Sequence, residues 1–177
     1  MAITTKGGDK GMTSLYFGKS VTKDHPRIAA NGDLDELCSF LGLARSLVKK
    51  SNIKMLLKDI QKDLFVAGGE IAAERAYIGK LKSRIGKNDI TRLEKVISSL
   101  EKSRTFRECC FYLPGESLLA SSFDIARTVC RRAERQVVTL YRKRMLSNPY
   151  IIVYLNRASD LLYLFARSYE SSHAKTK

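Results

Sequence analysis

The segment Phe123-Asp-Ile-Ala-Arg-Thr-Val-Cys-Arg-Arg-Ala-Glu-Arg135 carries two unlike surfaces on one rod of sequence. At about 100° per residue, Ala126, Val129, Cys130 and Ala133, continued by Val137 and Leu140, line up as an apolar stripe. A stripe of that period is the core face of a long amphipathic helix. Arg127, Arg131 and Glu134 fall within about 60° of one another on a separate arc, with Arg135 at its margin. Three guanidiniums and one carboxylate beside a core face suit a polyanion, with Glu134 holding the arginines in place. The same residues also fit a solvated face with an Arg131–Glu134 i,i+3 pair, worth only about a few tenths of a kcal/mol.

The helical period recurs on both sides of this segment. The central helix is expected from about Ser117 to Met145, and a further one from Asn148-Pro149 to about Ser171. Leu155, Ala158, Leu162, Ala166 and Tyr169 form the core stripe of the latter. Asn156, Asp160, Tyr163 and Arg167 flank that stripe within about 60° of one another, a second polar row on a consecutive helix. Upstream, Leu34, Leu37, Leu41, Ala44 and Val48 predict a helix from Asp33, capped by Asp33 or Gly32. Leu56, Ile60, Leu64 and Ile71 predict a second from about Ile53 to Glu74, followed by a basic loop over 75–87. Asn88 is placed to cap a third, with Ile90, Leu93, Ile97 and Leu100 inside. A connector over 104–116 ends in the turn signal Pro114-Gly115. No β-type alternation lasts more than a few residues. The expectation is one all-α domain over 1–177: a five-helix up-down bundle (32–171), an irregular N-terminal arm (1–31) and a tail (172–177).

The 177 residues fit a single domain, and 44% hydrophobic with 28% charged residues is ordinary for a globular protein. No apolar run approaches the roughly 20 residues of a membrane span. The start, Met-Ala-Ile-Thr-Thr-Lys-Gly-Gly, shows neither an apolar signal region nor an Arg/Ser-rich leader, so the expected location is cytoplasmic. Cys38, Cys109, Cys110 and Cys130 lack Cys-x-x-Cys spacing, and with only His25 and His173 they argue for reduced thiols over structural zinc. Glu-x-x-His is absent, which argues against a carboxylate-bridged di-metal centre. The net charge of +14 fits a surface basic for nucleic acid or membrane, or a site for a phosphorylated small molecule, with much of the excess a solvated surface. Its cations (Lys49-Lys50, Lys80, Lys82, Arg84, Lys87, Arg142-Lys143-Arg144) sit at helix ends or loops without interleaved aromatics. That is not a base-stacking platform, so a phosphorylated small molecule is favoured over nucleic acid. A basic bundle binding nucleic acid or another polyanion is the rival.

Thr5-Lys-Gly-Gly-Asp-Lys-Gly-Met-Thr-Ser14 gathers three glycines, two lysines and three hydroxyls in ten residues. Glycines let backbone N–H groups approach an anion, and lysines neutralise phosphate charge. It is not a Walker loop, and by itself it equally fits a flexible basic terminus. The loop pattern Thr5-x-x-Gly8-Asp9-x-Gly11-x-Thr13 leads to Lys23-Asp24-x-Pro26-Arg27 and then Gly32-x-x-Asp35-Glu36-Leu37. Phe111-x-Leu113-Pro114-Gly115, Ala126-Arg-Thr-Val-Cys-Arg-Arg-Ala-Glu-Arg135 and Tyr154-Leu-Asn-Arg-x-Ser-Asp160 complete the order. With these six motifs in this order, the chain resembles the ATP:cob(I)alamin adenosyltransferases of the PduO type over about residues 4 to 170. The chain departs from the family at Gly7, Phe17, Lys19-Ser20 and Glu116, which touches loop geometry and affinity and keeps open a cobalamin or ATP carrier with little turnover.

The resemblance implies a homotrimer binding ATP between subunits, the arm of one copy wrapping the triphosphate against the arginine helix of the next. It implies transfer of the 5′-deoxyadenosyl group of ATP to the cobalt of cob(I)alamin, with release of triphosphate. The nucleotide-binding residues it implies are Thr5, Lys6, Gly8, Asp9, Lys10, Gly11, Thr13, Ser14, Lys23, Arg127, Arg131, Glu134, Arg135 and Asn156. Mg²⁺ would join them, with Glu134 placing its waters. Asp35 and Arg127 resemble a pair joining neighbouring subunits, and Phe111 the aromatic that displaces cobalt's lower axial ligand. A cob(II)alamin reductase and a B12-dependent enzyme are the implied protein partners. Because Co(I) is already a strong nucleophile, a chain with no visible Ser/His or Cys/His triad suits the reaction.

Overall fold

The computed structural model describes residues 4, 6–102 and 112–170. Five α-helices make up most of them: α1 (Pro26–Leu47), α2 (Ser51–Ala72), α3 (Lys87–Lys102), α4 (Leu118–Arg142) and α5 (Tyr150–Ser168). α4 packs against both α1 and α5; α2 lies against α1, and α3 against α5. The all-α bundle expected from the periodicities is therefore what forms.

The stripe on α4 is buried throughout, from Ala126 to Leu140, and so is the α1 stripe from Leu34 to Val48. Each fully buried Leu or Ile contributes about 1.5–3 kcal/mol relative to exposure. Three positions differ from the expected stripes. On α3, Leu100 is only partly buried. On α2 it is Leu57 that is buried, with Leu56 only half-covered, and on α5 Tyr169 is half-exposed past the helix end. Helix ends are closed by named groups. Ser117 Oγ accepts from Ala120 N at 3.0 Å and donates to Tyr169 O at 3.0 Å, joining the start of α4 to the end of α5. Asp89 Oδ2 accepts from Gly86 N at 3.0 Å, so Asn88 lies inside the first turn of α3 and does not cap it.

The arm is more regular than the sequence suggests. Met12–Ser14 (β1) and Ser20–Thr22 (β2) pair antiparallel, with Thr13 opposite Val21. Strands of three residues are too short to leave a readable alternation. α1 begins at Pro26, well before Asp33. Pro at the first position needs no N–H partner, and His25 Nδ1 accepts from Arg27 N at 3.2 Å. Gly32 and Asp33 thus sit within the helix, where they look like a cap only from the sequence. Within the basic loop, Arg75–Lys80 forms a short 3-10 turn.

Three polar ties close the bundle. Glu70, wholly buried, accepts from Arg84 Nε at 2.9 Å, Ile85 N at 2.7 Å and Asn148 Nδ2 at 2.9 Å. Asp63 accepts from Tyr154 Oη at 2.6 Å and from Arg92; burial pushes the Asp63 carboxyl up, and pushes the Tyr154 phenol up further. The third tie holds the arm. Buried Arg27 donates to the carbonyls of Ile71, Ala73 (2.9 Å) and Met145, joining the start of α1 to the end of α2 and to the α4–α5 turn. Desolvation lowers its pKa, with Glu74 opposing. Charge-assisted bonds of this kind are worth about 1.5–3 kcal/mol each, and the carbonyls left behind would be unsatisfied. Arg27→Ala should therefore cost about 3 kcal/mol or more in urea unfolding, and Arg27→Lys should not restore it, because one ammonium cannot reproduce the guanidinium fork.

Candidate functional site

The two polar rows meet. Arg127 and Arg131 of α4 and Ser159, Asp160, Tyr163 and Leu164 of α5, with Glu101 at the end of α3, line one cavity of about 320 Å³. The rows face each other because each flanks a core stripe, and the stripes are packed together. One turn further along, Asn156 Nδ2 donates to Glu134 Oε1 at 3.4 Å, and Arg157 Nη1 donates to Asn156 Oδ1 at 2.8 Å. Glu134 is thus turned toward α5, and the Arg131–Glu134 pair does not form. Arg131 and Arg135 are exposed and make no ion pair among the described residues.

Arg132 points the other way. Its Nε donates to Asp33 Oδ1 at 2.9 Å and its Nη2 to Glu36, tying α4 to α1. Behind the cavity, Asp124 lies between two guanidiniums. Arg127 Nε stands 3.5 Å from Asp124 Oδ1, and Arg167 Nη2 donates to Asp124 Oδ2. Arg167 also pairs with Glu170 at 2.8 Å and lies between the rings of Tyr112 and Tyr163, at 5.0 and 5.2 Å. So Arg167, read in the sequence as part of the polar row, is a buried supporting residue. Burial raises the Asp160 carboxyl pKa, while Arg157 and Arg131 pull it down.

The arm brings its own residues together. Asp9 N bonds Lys6 O at 3.2 Å, Gly11 N bonds Gly8 O at 3.1 Å and Lys23 N bonds Gly11 O at 2.8 Å, so residues 6–11 curl into successive turns at the foot of the hairpin. Gly11 holds φ +72°, a conformation that suits glycine. Lys23 Nζ lies 2.8 Å from where a Cβ on Gly8 would stand, which puts an ammonium against bare backbone. Lys6, Lys10 and Lys23 make no ion pair among the described residues, and Thr13 and Ser14 lie in β1. Among the described residues, no hydrogen bond or ion pair joins this loop to Arg127, Arg131, Glu134, Arg135 or Asn156. Asp35 lies apart from Arg127, on an α1–α2 groove of about 290 Å³ shared with Asn31, Cys38, Phe65 and Gly68. Thr5 and Phe111 lie outside the described residues.

Sequence reasoning missed the parts played by Arg27, Asp124 and Glu101. Asp124 had a signal, since it stands three residues before Arg127 on the same helix.

A family model described as cobalamin adenosyltransferase matches residues 3–169. The chain is 36% identical over 171 residues to a corrinoid adenosyltransferase of Citrobacter freundii, covering 96% of each. It is 39% identical over 170 residues to the corrinoid adenosyltransferase PduO of the same organism, covering 95% of this chain and 50% of that one. A solved structure of a variant PduO-type ATP:corrinoid adenosyltransferase from Lactobacillus reuteri, complexed with cobalamin and ATP, aligns with a TM-score of 0.84 at 34% identity, covering 94% and 92% of the two chains. The chain belongs to the cobalamin adenosyltransferase family, as its motifs imply.

The cavity has an idle cation in front and a working pair behind. Arg131→Ala should change unfolding free energy by less than about 0.5 kcal/mol, whereas Asp124→Ala, which removes one of the two carboxylates on the buried Arg167, should cost about 1.5–3 kcal/mol. Urea unfolding of the two variants checks the contrast.

Proposed function

We propose that this chain moves the 5′-deoxyadenosyl group of ATP to the cobalt of cob(I)alamin, releasing triphosphate. The observation that carries the reading is the α4–α5 cavity, where Arg131 is exposed and makes no ion pair among the described residues, in a chain of this family. The substrate cob(I)alamin is itself the nucleophile, so the protein has no proton to remove. What the site must do is hold the C5′ carbon in line and absorb the negative charge that gathers on the departing triphosphate. Arg127, Arg131 and Arg135 on one side, and Lys6, Lys10 and Lys23 on the other, supply fixed positive charge. The backbone around Gly8, Asp9 and Gly11, with the hydroxyls of Thr5, Thr13 and Ser14, supplies neutral donors. Asn156, held by Arg157 and Glu134, presents its amide to the nucleotide.

Mg²⁺ belongs to the same proposal. Among the described residues no group of three or more His, Cys, Asp or Glu could hold a metal. Glu134 alone beside the arginine row fits an ion that keeps its waters and takes its other ligands from phosphate oxygens. When bound, it would neutralise triphosphate charge.

We also propose a homotrimer in which the arm of one copy closes on the arginine row of the next. Supporting this, the loop and the row are not joined within one protomer by any hydrogen bond or ion pair among the described residues. The α1–α2 groove presents Asp35 beside Phe65, an exposed aromatic. Arg127 faces Asp124 through its Nε at 3.5 Å and keeps part of its side chain exposed, where Asp35 of a neighbour would reach it. Phe111, with α1, is proposed to line the cobalamin pocket. A reductase supplying Co(I), a B12-dependent enzyme taking the product and a cytoplasmic setting complete the proposal; the free thiols of Cys38 and Cys130 suit that setting. No described helix is long and apolar enough to cross a membrane.

Under strict anaerobiosis, protein mixed with ATP, Mg²⁺ and chemically reduced cobalamin should produce the adenosyl-cobalt spectrum and free triphosphate. Arg131→Ala should lower kcat/KM for ATP by about 100-fold or more, and Arg132→Ala far less, since Arg132 is committed to α1. An unchanged spectrum in the wild type, or equal losses in the two variants, would contradict the reading.

A further inference from the structure

We infer that Phe17 is a positioning residue that holds the nucleotide arm in its binding conformation, an inference resting on the function proposed above. The hairpin turns at Leu15-Tyr16-Phe17-Gly18-Lys19, with Gly18 N bonded to Leu15 O at 3.0 Å and Leu15 N to Lys19 O at 2.7 Å. Two consecutive residues there have positive φ: Phe17 at +71° and Gly18 at +98°. Glycine takes such a φ freely. A bulky aromatic does not, and the third position of a tight turn with positive φ ordinarily selects Gly or Asn. Burial does not explain the choice, because Phe17 is 41% exposed.

Its contacts do. The Phe17 ring lies 5.3 Å from the ring of Tyr77 on the 3-10 turn and 4.5 Å, edge-on, from that of Tyr16. Lys80 Nζ stands over both partners, 5.9 Å from Phe17 and 5.1 Å from Tyr77. Beside this clasp, Tyr16 N donates to Ala72 O at 3.2 Å, and Lys19 Nζ reaches Glu74 at 2.8 Å. The tip is therefore fastened to the end of α2 through side chains that lie far from it in sequence.

The opposite end of the same hairpin carries the loop. From Ser14↔Ser20 the ladder runs to Met12↔Thr22, and next to it Lys23 N closes on Gly11 O. Two strands of three residues have little stability of their own, so the direction in which Gly8, Lys10 and Lys23 point is set by where the tip is held. A glycine at 17 relaxes the backbone and removes the clasp. The arm then spends less time in the competent orientation, and apparent ATP affinity falls by that fraction, while the chemistry of the bound state is untouched.

The test compares wild type, Phe17→Gly and Phe17→Tyr in the anaerobic adenosyl-transfer assay, with amide hydrogen exchange on the same samples. Phe17→Gly should raise KM for ATP about five- to tenfold with kcat within about twofold, and should speed exchange over residues 6–23 but not in α4 or α5. Phe17→Tyr, which keeps the ring, should behave as wild type. A KM for ATP unchanged in Phe17→Gly, or a loss confined to kcat, overturns the inference while leaving the proposed function standing. A wild type that transfers no adenosyl group overturns both.

Discussion

Because α4 is wedged between α1 and α5, much of its circumference is taken by the core, and each charged side chain on the remainder has one direction open to it. That constraint sorts four arginines within nine residues. Arg132 turns to α1 and is spent on Asp33 and Glu36. Arg127 and Arg131 turn to α5 and line a cavity. Arg135 stays at the margin. Asp124, the carboxylate nearest Arg127 on α4, is shared with Arg167, which also pairs with Glu170. Glu101 and Asp160 line the pocket beside Arg127 and Arg131, and Arg131 stays exposed and makes no ion pair among the described residues.

The arm depends on a different device. Arg27 satisfies three carbonyls at the junction of α1, α2 and the α4–α5 turn, and that fixes where the chain leaves the bundle. From that exit, the hairpin and its aromatic tip set the course of the glycine loop. The arrangement leaves two cationic surfaces in one protomer, neither closed. A nucleotide site assembled from both therefore asks for a second copy, and the trimer proposed from the family resemblance supplies one.

The long helices were readable because α4 and α5 sustain one period for about five turns or more, enough to separate a core stripe from a polar flank. The meeting of the two rows was readable for the same reason, since both flank stripes that must pack together. The start of α1 was not. Gly32-Asp33 imitates a cap, and the residues that set the true boundary, His25 and Pro26, precede the apolar stripe. Arg27 was legible only as part of a motif, because its acceptors lie 44, 46 and 118 residues away. The hairpin escaped notice because three-residue strands carry no period. Lys23 beside Gly8 is a consequence of that hairpin and escaped with it.

The claim at the centre is that one site draws its loop and its arginine row from different copies. Two separately inactive variants test it: Lys10→Ala/Lys23→Ala, with a crippled loop, and Arg131→Ala, with a crippled row. Mixed oligomers formed from equal amounts of the two should recover about a quarter of wild-type adenosyl transfer, since one site in four then pairs an intact loop with an intact row. If each copy built its site from its own loop and row, the mixed oligomers would stay as inactive as their parents.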